Sequence, residues 1–278
     1  MPDTVRVTYV GHASVAIELG GVTVLTDPVL TTRLKHLRRV GAPPADFDPG
    51  TVDLVAISHQ HHDHLHLPSL RRLPRTAHVV VPRGLAPRVA RLGFEQVTEM
   101  AVGDTTPHGP VRITAVPAVH DDRRHPGARR VAPLGYLFEG PADGETGGPA
   151  DDRERRAIRS VYFAGDTALF DEMAALDPDL SLLPVWGWGP TLGEGHLDPG
   201  TAADALALLG SPIAVPIHWG TLWPYHVRPN DRLVLPPREL ATAVAQRGLP
   251  TDVVEVAPGA GVTVPGVRRV APGDGRGP

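Results

Sequence analysis

The stretch SHQHHDHLH, at residues 58–66, holds five histidines and one aspartate within nine residues. It begins where the run VDLVAIS ends, and that run has the length and composition of a strand covered on both faces. Histidine and aspartate are ligands for zinc, manganese and iron. The stretch therefore predicts a metal site at the end of a buried strand.

Three further apolar strands run into a residue that can bind a metal. ITAVPAV leads to His120, SVYFAG leads to Asp166 and IAVPI leads to His218. Side chains at strand ends are held by a rigid sheet and can point into a shared rim. One histidine at a strand end is most often structural, but four such ends, one of them opening a dense cluster, indicate a metal site.

Composition excludes several kinds of chemistry. The chain has 278 residues, no cysteine and a formal net charge of −4. Disulfides, thiolate metal sites and a cysteine nucleophile are therefore excluded, and the charge gives no sign of nucleic acid as a partner. The N-terminus lacks a signal-peptide pattern, and no apolar run approaches the ~18 residues of a membrane-spanning helix. We expect a cytoplasmic protein without a transmembrane segment.

The order of elements favours an α/β (α+β) fold in which sheets carry helices on their outer faces. We predict a single domain over residues 1–268, with an exposed excursion at about 141–156 and a disordered tail at 269–278. The basic, Pro- and Gly-rich segment 32–50 is predicted as a long surface loop. Residues 251–264 are predicted as a closing pair of strands.

HQHHDH at residues 59–64 has the HxHxDH pattern and resembles the metallo-β-lactamase superfamily. The likeness extends over most of the chain, to LTDP (25–28), the strand end at His120, FAGDT (163–167) and PIHWGT (216–221). Within that superfamily, three motifs most resemble one branch: GHAS (11–14), GHLDP (195–199) and PIHWGT. The branch contains the N-acylphosphatidylethanolamine phospholipase D-like and ascorbate-6-phosphate lactonase-like hydrolases. The resemblance implies a four-layer αββα sandwich with a two-metal site in the cleft between its sheets.

The motifs also imply which residues bind the two metals. The first metal would be bound by His59, His61 and His120. The second would be bound by Asp63, His64 and His218, with Asp166 bridging both ions. Zinc is the default for such a His-rich site and manganese is a rival. A water held by the two divalent ions would lose its proton near neutral pH and act as the nucleophile.

Further candidates surround this predicted centre. The position of Asp27 supports the metal site in the superfamily, through a hydrogen bond to a ligand imidazole. His12 is predicted either to pack beside the ligands or to take part in catalysis, and Asp63 is a catalytic candidate as well as a ligand. In the branch, a histidine at the position of His196 lies near the substrate and donates a proton to the leaving group or contacts it. A capping or loop role is the alternative for His196.

Substrate contacts are predicted for Arg123, Arg124 and Trp219. Arginines near a di-metal cleft suit a phosphate or carboxylate substrate, and solvated loop charge is the alternative. Trp219 is predicted on the pocket wall, with core packing an equally good interpretation. Two histidines of the opening stretch, His62 and His66, are predicted not to bind metal.

The resulting hypothesis is a metal-dependent hydrolase that acts on a small phosphorylated ester, lactone or phosphodiester. A nuclease or a thioester hydrolase of the same superfamily is an alternative within enzymes. A non-catalytic metal-binding scaffold is the alternative from another class. We expect a small-molecule substrate and no nucleic-acid partner, and we leave homo-oligomer formation open.

Overall fold

The structure is a computed structural model that describes residues 4–41, 47–141 and 157–266. The predicted tail, and all of the predicted excursion except residue 141, lie outside these residues. The described strands form two seven-stranded sheets and one three-stranded sheet.

The first sheet has the order β17 (Gly261–Val264), β1 (Val5–Gly11), β2 (Ser14–Leu19), β3 (Val22–Thr26), β6 (Leu54–Ala56), β7 (His78–Pro82) and β8 (Gln96–Met100). The second has the order β16 (Asp252–Val253), β14 (Ile213–Ile217), β13 (Leu180–Pro184), β12 (Ser160–Phe163), β11 (Leu134–Glu139), β10 (Val111–Pro117) and β9 (Thr105–His108). The third consists of β15 (Leu222–Pro224), β5 (Leu37–Arg39) and β4 (Arg33–Leu34). The helices are α1 (Leu67–Leu70), α2 (Ala86–Ala90), α3 (Pro199–Leu209) and α4 (Pro236–Gln246).

Two apolar cores give the molecule its four layers. The larger core joins the facing sides of the two large sheets, through residues such as Tyr9 and Phe163, and continues to α3 and α4. The smaller core covers the other side of the first sheet, where Val55 packs in one cluster with Leu70 of α1 and Val89 of α2. Helices therefore lie outside both sheets, and the predicted αββα sandwich is confirmed. None of the helices in the described part of the chain is long and apolar enough to cross a membrane.

Strand direction brings the predicted metal ligands to one edge of each sheet. In the first sheet, β1 and β3 are both antiparallel to β2, and β6 is parallel to β3. In the second, β10 and β12 are both antiparallel to β11, and β14 follows β12 through two parallel pairings. In the first sheet, β1, β3 and β6 lead to His12, Asp27 and the segment 58–66. In the second sheet, β10, β12 and β14 lead to His120, Asp166 and His218.

Two segments differ from the sequence-based prediction. Residues 33–39, predicted as part of a surface loop, form the β4–β5 hairpin, and β5 pairs with β15 far along the chain. Leu34 and Leu37 are buried against Leu222, a contact that local sequence cannot reveal. The closing strands also do not pair with each other. β16 is parallel to β14 and β17 is antiparallel to β1, so the end of the described chain crosses from one large sheet to the other.

His78 predicts a loss of stability in acid. Its ring is 1% exposed, Nε2 lies 2.8 Å from the Thr98 hydroxyl and Nδ1 has no hydrogen-bond partner. Burial, with repulsion from His108, lowers the pKa of His78 from 6.5 to about 4. Between these two values the unfolded chain binds a proton that the folded chain refuses, so the free energy of unfolding falls as the pH falls.

We expect His78→Gln to reduce this pH-dependent loss by about 1–2 kcal/mol. The measurement is urea unfolding at several pH values between 7.5 and 4 in wild type and variant. His226→Gln, at an exposed histidine, is the control. Parallel pH profiles for wild type and His78→Gln would contradict the prediction.

Candidate metal centre

Three imidazole nitrogens meet where β6 and β10 end. Nε2 of His59 lies 2.9 Å from Nδ1 of His61, and Nδ1 of His61 lies 3.1 Å from Nε2 of His120. The three rings offer ligand atoms that all lie within 4.8 Å of one another. The sequence predicted these residues as the ligands of the first metal, and the fold brings them together.

Backbone carbonyls fix which nitrogen of two of these rings carries the hydrogen. His61 places Nε2 2.7 Å from the carbonyl oxygen of Arg123, and His120 places Nδ1 2.9 Å from that of Gly195. A carbonyl oxygen only accepts, so these outer nitrogens donate. In the neutral ring the other nitrogen then carries a lone pair. Both lone pairs face the cluster.

A buried serine and a buried aspartate fix the rings of His59 and His64 in the same way. The Ser58 hydroxyl donates to Asp27 and accepts from Nδ1 of His59 at 2.9 Å. Asp27 also accepts from Nδ1 of His64 at 2.7 Å and from the Ser58 backbone N–H at 2.7 Å. In the neutral form of each ring, Nε2 is unprotonated and faces inward. Asp27 thus has the supporting position expected of it, whereas Ser58 was missed, although it directly precedes His59.

A second cluster forms where β14 ends. Nε2 of His218 lies 3.4 Å from Nε2 of His64, and Nδ1 of His218 donates to the carbonyl of Trp186 at 2.8 Å. Asp63 lies in the same group, with His12 donating Nε2–H to its carboxylate at 3.0 Å. His12 therefore holds a predicted ligand in place.

Asp166 lies between the two clusters. Its Oδ2 is 3.0 Å from Nε2 of His64 and 4.0 Å from Nε2 of His120. Its Oδ1 is 3.1 Å from Nε2 of His218, yet this buried oxygen accepts no hydrogen bond. In their neutral forms the nearest nitrogens present lone pairs, so a cation, either a proton on His64 or a metal ion, is the partner that these oxygens and nitrogens share. Imidazole nitrogens with carboxylate oxygens are a donor set that fits zinc, manganese or iron.

The electrostatics of the site also favour positive charge. Burial opposes a proton on His64, but the carboxylates of Asp166 and Asp27 outweigh burial and raise its pKa well above the usual value. Burial would likewise raise the pKa of Asp166, but His218 and His64 hold it well below its usual range. Burial lowers the pKa of His59 and His218 well below 6.5. Ionised carboxylates and neutral imidazoles are the forms that bind metals.

Several residues that follow a strand and carry these side chains have a positive backbone φ angle. His12, Asp27 and His218 have φ angles of 60°, 31° and 64°. A positive φ at a non-glycine residue costs of order 1 kcal/mol, and such strain concentrates at functional sites. Gly165 also has a positive φ, and a Cβ there would lie 2.6 Å from the Cβ of Ser58. Glycine at 165 therefore lets two ligand-bearing loops approach closely.

A cleft of about 290 Å³ opens over both clusters. On the metal side it is lined by His61, Asp63, His120, Asp166 and His196. Its other lining residues are those of the hairpin turn 34–37, His62, Arg124 and Trp188. The cleft is the size of a small molecule and lies where the sequence placed the active site.

His196 lies at the boundary between this cleft and Asp166. Its Nδ1 is 3.1 Å from the carbonyl oxygens of both Gly193 and Glu194, and its Nε2 is 3.4 Å from Oδ2 of Asp166. The side chain is 19% exposed, in contrast to the buried ligands. The geometry supports its predicted place near the substrate.

Arg124 holds the metal-binding segment. Its guanidinium donates to the backbone carbonyl of Gln60, contacts that of Leu65 and donates to Nδ1 of His62 at 2.5 Å. Most of its donors are thus used within the protein, although it lines the cleft as predicted.

The other predicted substrate residues lie differently. Arg123 contributes its backbone carbonyl to His61, as described above, and does not line the cleft in the described residues. Trp219 is 5% exposed and packs in the core, where Nε1 donates to the carbonyl of Pro216. Trp188, at 38% exposure, lies on the cleft wall instead. No local signal in the sequence separates these two tryptophans.

Known proteins are similar to this chain in sequence and in fold. The profile of a family described as "Beta-lactamase superfamily domain" matches residues 22–219. A metal-dependent hydrolase of the UPF0173 group from Methanopyrus kandleri is 33% identical over 262 residues, which cover 91% of this chain and 97% of that protein.

Two solved structures illustrate the fold. Igni18, a metallo hydrolase from the archaeon Ignicoccus hospitalis, has a TM-score of 0.67 and 26% identity, with 94% of this chain and 98% of that chain covered. CmlA, a diiron β-hydroxylase from Streptomyces venezuelae, has a TM-score of 0.65 and 20% identity, with 95% of this chain and 55% of that chain covered.

Asp27 provides a test of the hydrogen-bond network behind the ligands. Asp27→Asn keeps the size of the side chain but replaces one acceptor with a donor, which misorients Ser58 or His64. We expect metal affinity to fall about 10–100-fold, measured by competition with a chromophoric chelator. Asp171→Asn, at an exposed aspartate, should bind metal like wild type. Equal metal affinity in both variants would exclude this role of Asp27.

Proposed function

The chain belongs to the β-lactamase superfamily and is a metal-dependent hydrolase, and from that premise we propose a two-metal hydrolase of small phosphorylated esters, lactones or phosphodiesters. The observation that carries the proposal is the convergence of two clusters with five imidazoles, next to the buried carboxylate of Asp166, at a small cleft. Resemblance to the phospholipase- and lactonase-like branch adds the substrate classes.

The proposed ligand sets follow the two clusters. His59, His61 and His120 would hold one ion. Asp63, His64 and His218 would hold the other, and Asp166 would contact both. Bound divalent ions would activate water for attack and polarise the carbonyl or phosphoryl bond that is attacked. Zinc is the proposed metal, with manganese as the alternative.

The protein's own groups supply orientation and proton transfer. His12 fixes the Asp63 carboxylate by donating to it at 3.0 Å. The carbonyls of Gly193 and Glu194 fix the ring of His196, so its Nε2 faces the cleft side of Asp166. A proton on this nitrogen would pass to the oxygen of the leaving group as the scissile bond breaks.

The size and charge of the site favour small substrates over polymers. The cleft of about 290 Å³ accommodates a small molecule, and the chain carries a net charge of −4. Nucleic-acid binding relies on clustered positive charge along an extended surface. A nuclease is therefore the weaker alternative.

The decisive experiment is metal analysis followed by an activity panel on the metal-loaded protein. The panel comprises a phosphodiester, a sugar-phosphate lactone, a thioester and a β-lactam. Hydrolysis of one of the first two supports the proposal, and preferential thioester hydrolysis favours that alternative. A protein with two bound metals that is inactive on every substrate would favour the non-catalytic scaffold.

Loss of a ligand should remove metal and activity together. Asp166→Ala and His61→Ala should each lower bound metal and reduce kcat/KM to background, because the first removes the shared carboxylate and the second opens a cluster. Metal content by mass spectrometry and turnover of the best panel substrate are the two measurements. His226→Ala is the exposed control. Full activity in either ligand variant would sink the assignment.

His196 should affect turnover without affecting metal content. His196→Gln should lower kcat about 10²–10⁴-fold, the range for loss of a general acid. Substrates with a good leaving group, such as a nitrophenyl ester, should lose less because they need no proton. If metal content falls along with kcat, His196 is a ligand and the role of proton donor is wrong.

A further inference from the structure

The chain contains one lysine, Lys35, beside 26 arginines, and this lysine lines the same cleft as the metal centre. In residues 4–41, 47–141 and 157–266 it forms no ion pair with a carboxylate. The only carboxylates among the described residues of the cleft are Asp63 and Asp166, which belong to the metal centre. The wall that carries Lys35 therefore has positive charge that is not neutralised within the cleft.

The backbone of Lys35 is held in a conformation that disfavours lysine. Leu34 pairs with Leu37, so Lys35 and His36 form the two-residue turn of the β4–β5 hairpin. Lys35 has a φ angle of 50° at the first central position of this turn, where glycine is normally found. The hairpin is fixed from behind by its pairing with β15 and by the burial of Leu34 and Leu37. Strain on a rigid support, at a position that lines a cleft, points to a function for the side chain.

His62 offers a second hydrogen-bond donor in the same cleft. The guanidinium of Arg124 donates to Nδ1 of His62 at 2.5 Å, and a guanidinium cannot accept. Nδ1 of His62 is therefore the acceptor of the ring, and Nε2–H is its remaining donor. His62 and Lys35 both line the cleft. An ammonium group and a neutral N–H donor are a suitable pair for a phosphate or carboxylate oxygen.

We propose that Lys35 and Nε2–H of His62 form an oxyanion subsite, which binds a phosphate or carboxylate group of the substrate away from the bond that is cleaved. Arg124 positions His62 in this subsite and does not itself bind the anion. The inference rests on the proposed function, because it names the substrate class of the same cleft. His62 acquires a role that its variable place in the HxHxDH pattern did not indicate.

The single lysine makes a direct test possible. Reductive methylation of the full-length, metal-loaded protein with ¹³C-formaldehyde labels the amine of Lys35 and the N-terminus and preserves both charges. The Lys35→Arg variant identifies the lysine signal by its loss. We expect phenylphosphonate and benzoate to shift this signal in a saturable manner and neutral benzyl alcohol not to shift it. The tighter of the two anions identifies the source of the oxyanion.

Binding constants of four variants separate recognition from structure. In calorimetric titrations with the tighter anion, Lys35→Met and Lys35→Gly should raise Kd about 10-fold. Lys35→Arg should stay within about 3-fold of wild type, since it retains the charge. Arg38→Met, which removes a positive charge from an exposed site on the same hairpin, is the matched control and should leave Kd unchanged. Lys35→Gly should melt at the same or a higher temperature than wild type, because glycine relieves the positive φ.

Three results would overturn the subsite. They are an unchanged Kd in Lys35→Gly and Lys35→Met, an equal rise of Kd in Arg38→Met, or an equal shift of the lysine signal by benzyl alcohol. The test does not depend on turnover. Inactivity on the substrate panel would refute the proposed function while leaving the binding results to decide the subsite separately.

Discussion

The metal centre depends on the fixed orientation of its histidine rings. Each of the five imidazoles binds an acceptor through its outer nitrogen, and that bond decides which nitrogen faces inward. For His61, His120 and His218 the acceptor is a backbone carbonyl of a neighbouring loop. The two large sheets matter because they hold these loops at the distances that such bonds require. A shift of either sheet would misorient the rings before it separated them.

The sequence predicted side chains that the fold brings together in two clusters, but it predicted little of the rest of the cleft. The ligand types recur at the ends of apolar strands, and strand ends at one sheet edge converge whatever the details of packing. The contacts of Arg124 and the burial of Trp219 are different, because they depend on tertiary neighbours such as Gln60 and Pro216. The β4–β5 hairpin was misread as a loop for the same reason, since its partner β15 is distant in the chain.

Strain and close approach mark the same region of the molecule. Positive φ angles occur at His12, Asp27 and His218, and Gly165 lies where a methyl group would meet Ser58. These residues lie around the two clusters, whereas within the strands of the two large sheets only Gly11, the last residue of β1, has a positive φ. Packing in the two large cores fixes the strands in place. The strand ends can therefore be held in strained conformations that an isolated peptide would not keep.

The two-residue turn at Lys35 and His36 lines the cleft from outside the two large sheets. Its ends are fixed by strand pairing, so its side chains can be exchanged without altering the register of β4 and β5. The residues of the two clusters follow strands of the two large sheets and do not share this freedom. A substitution in the turn can therefore change the lining of the cleft while the two clusters keep their arrangement. Part of the lining of the cleft and the clusters beside it thus belong to different sheets of the fold.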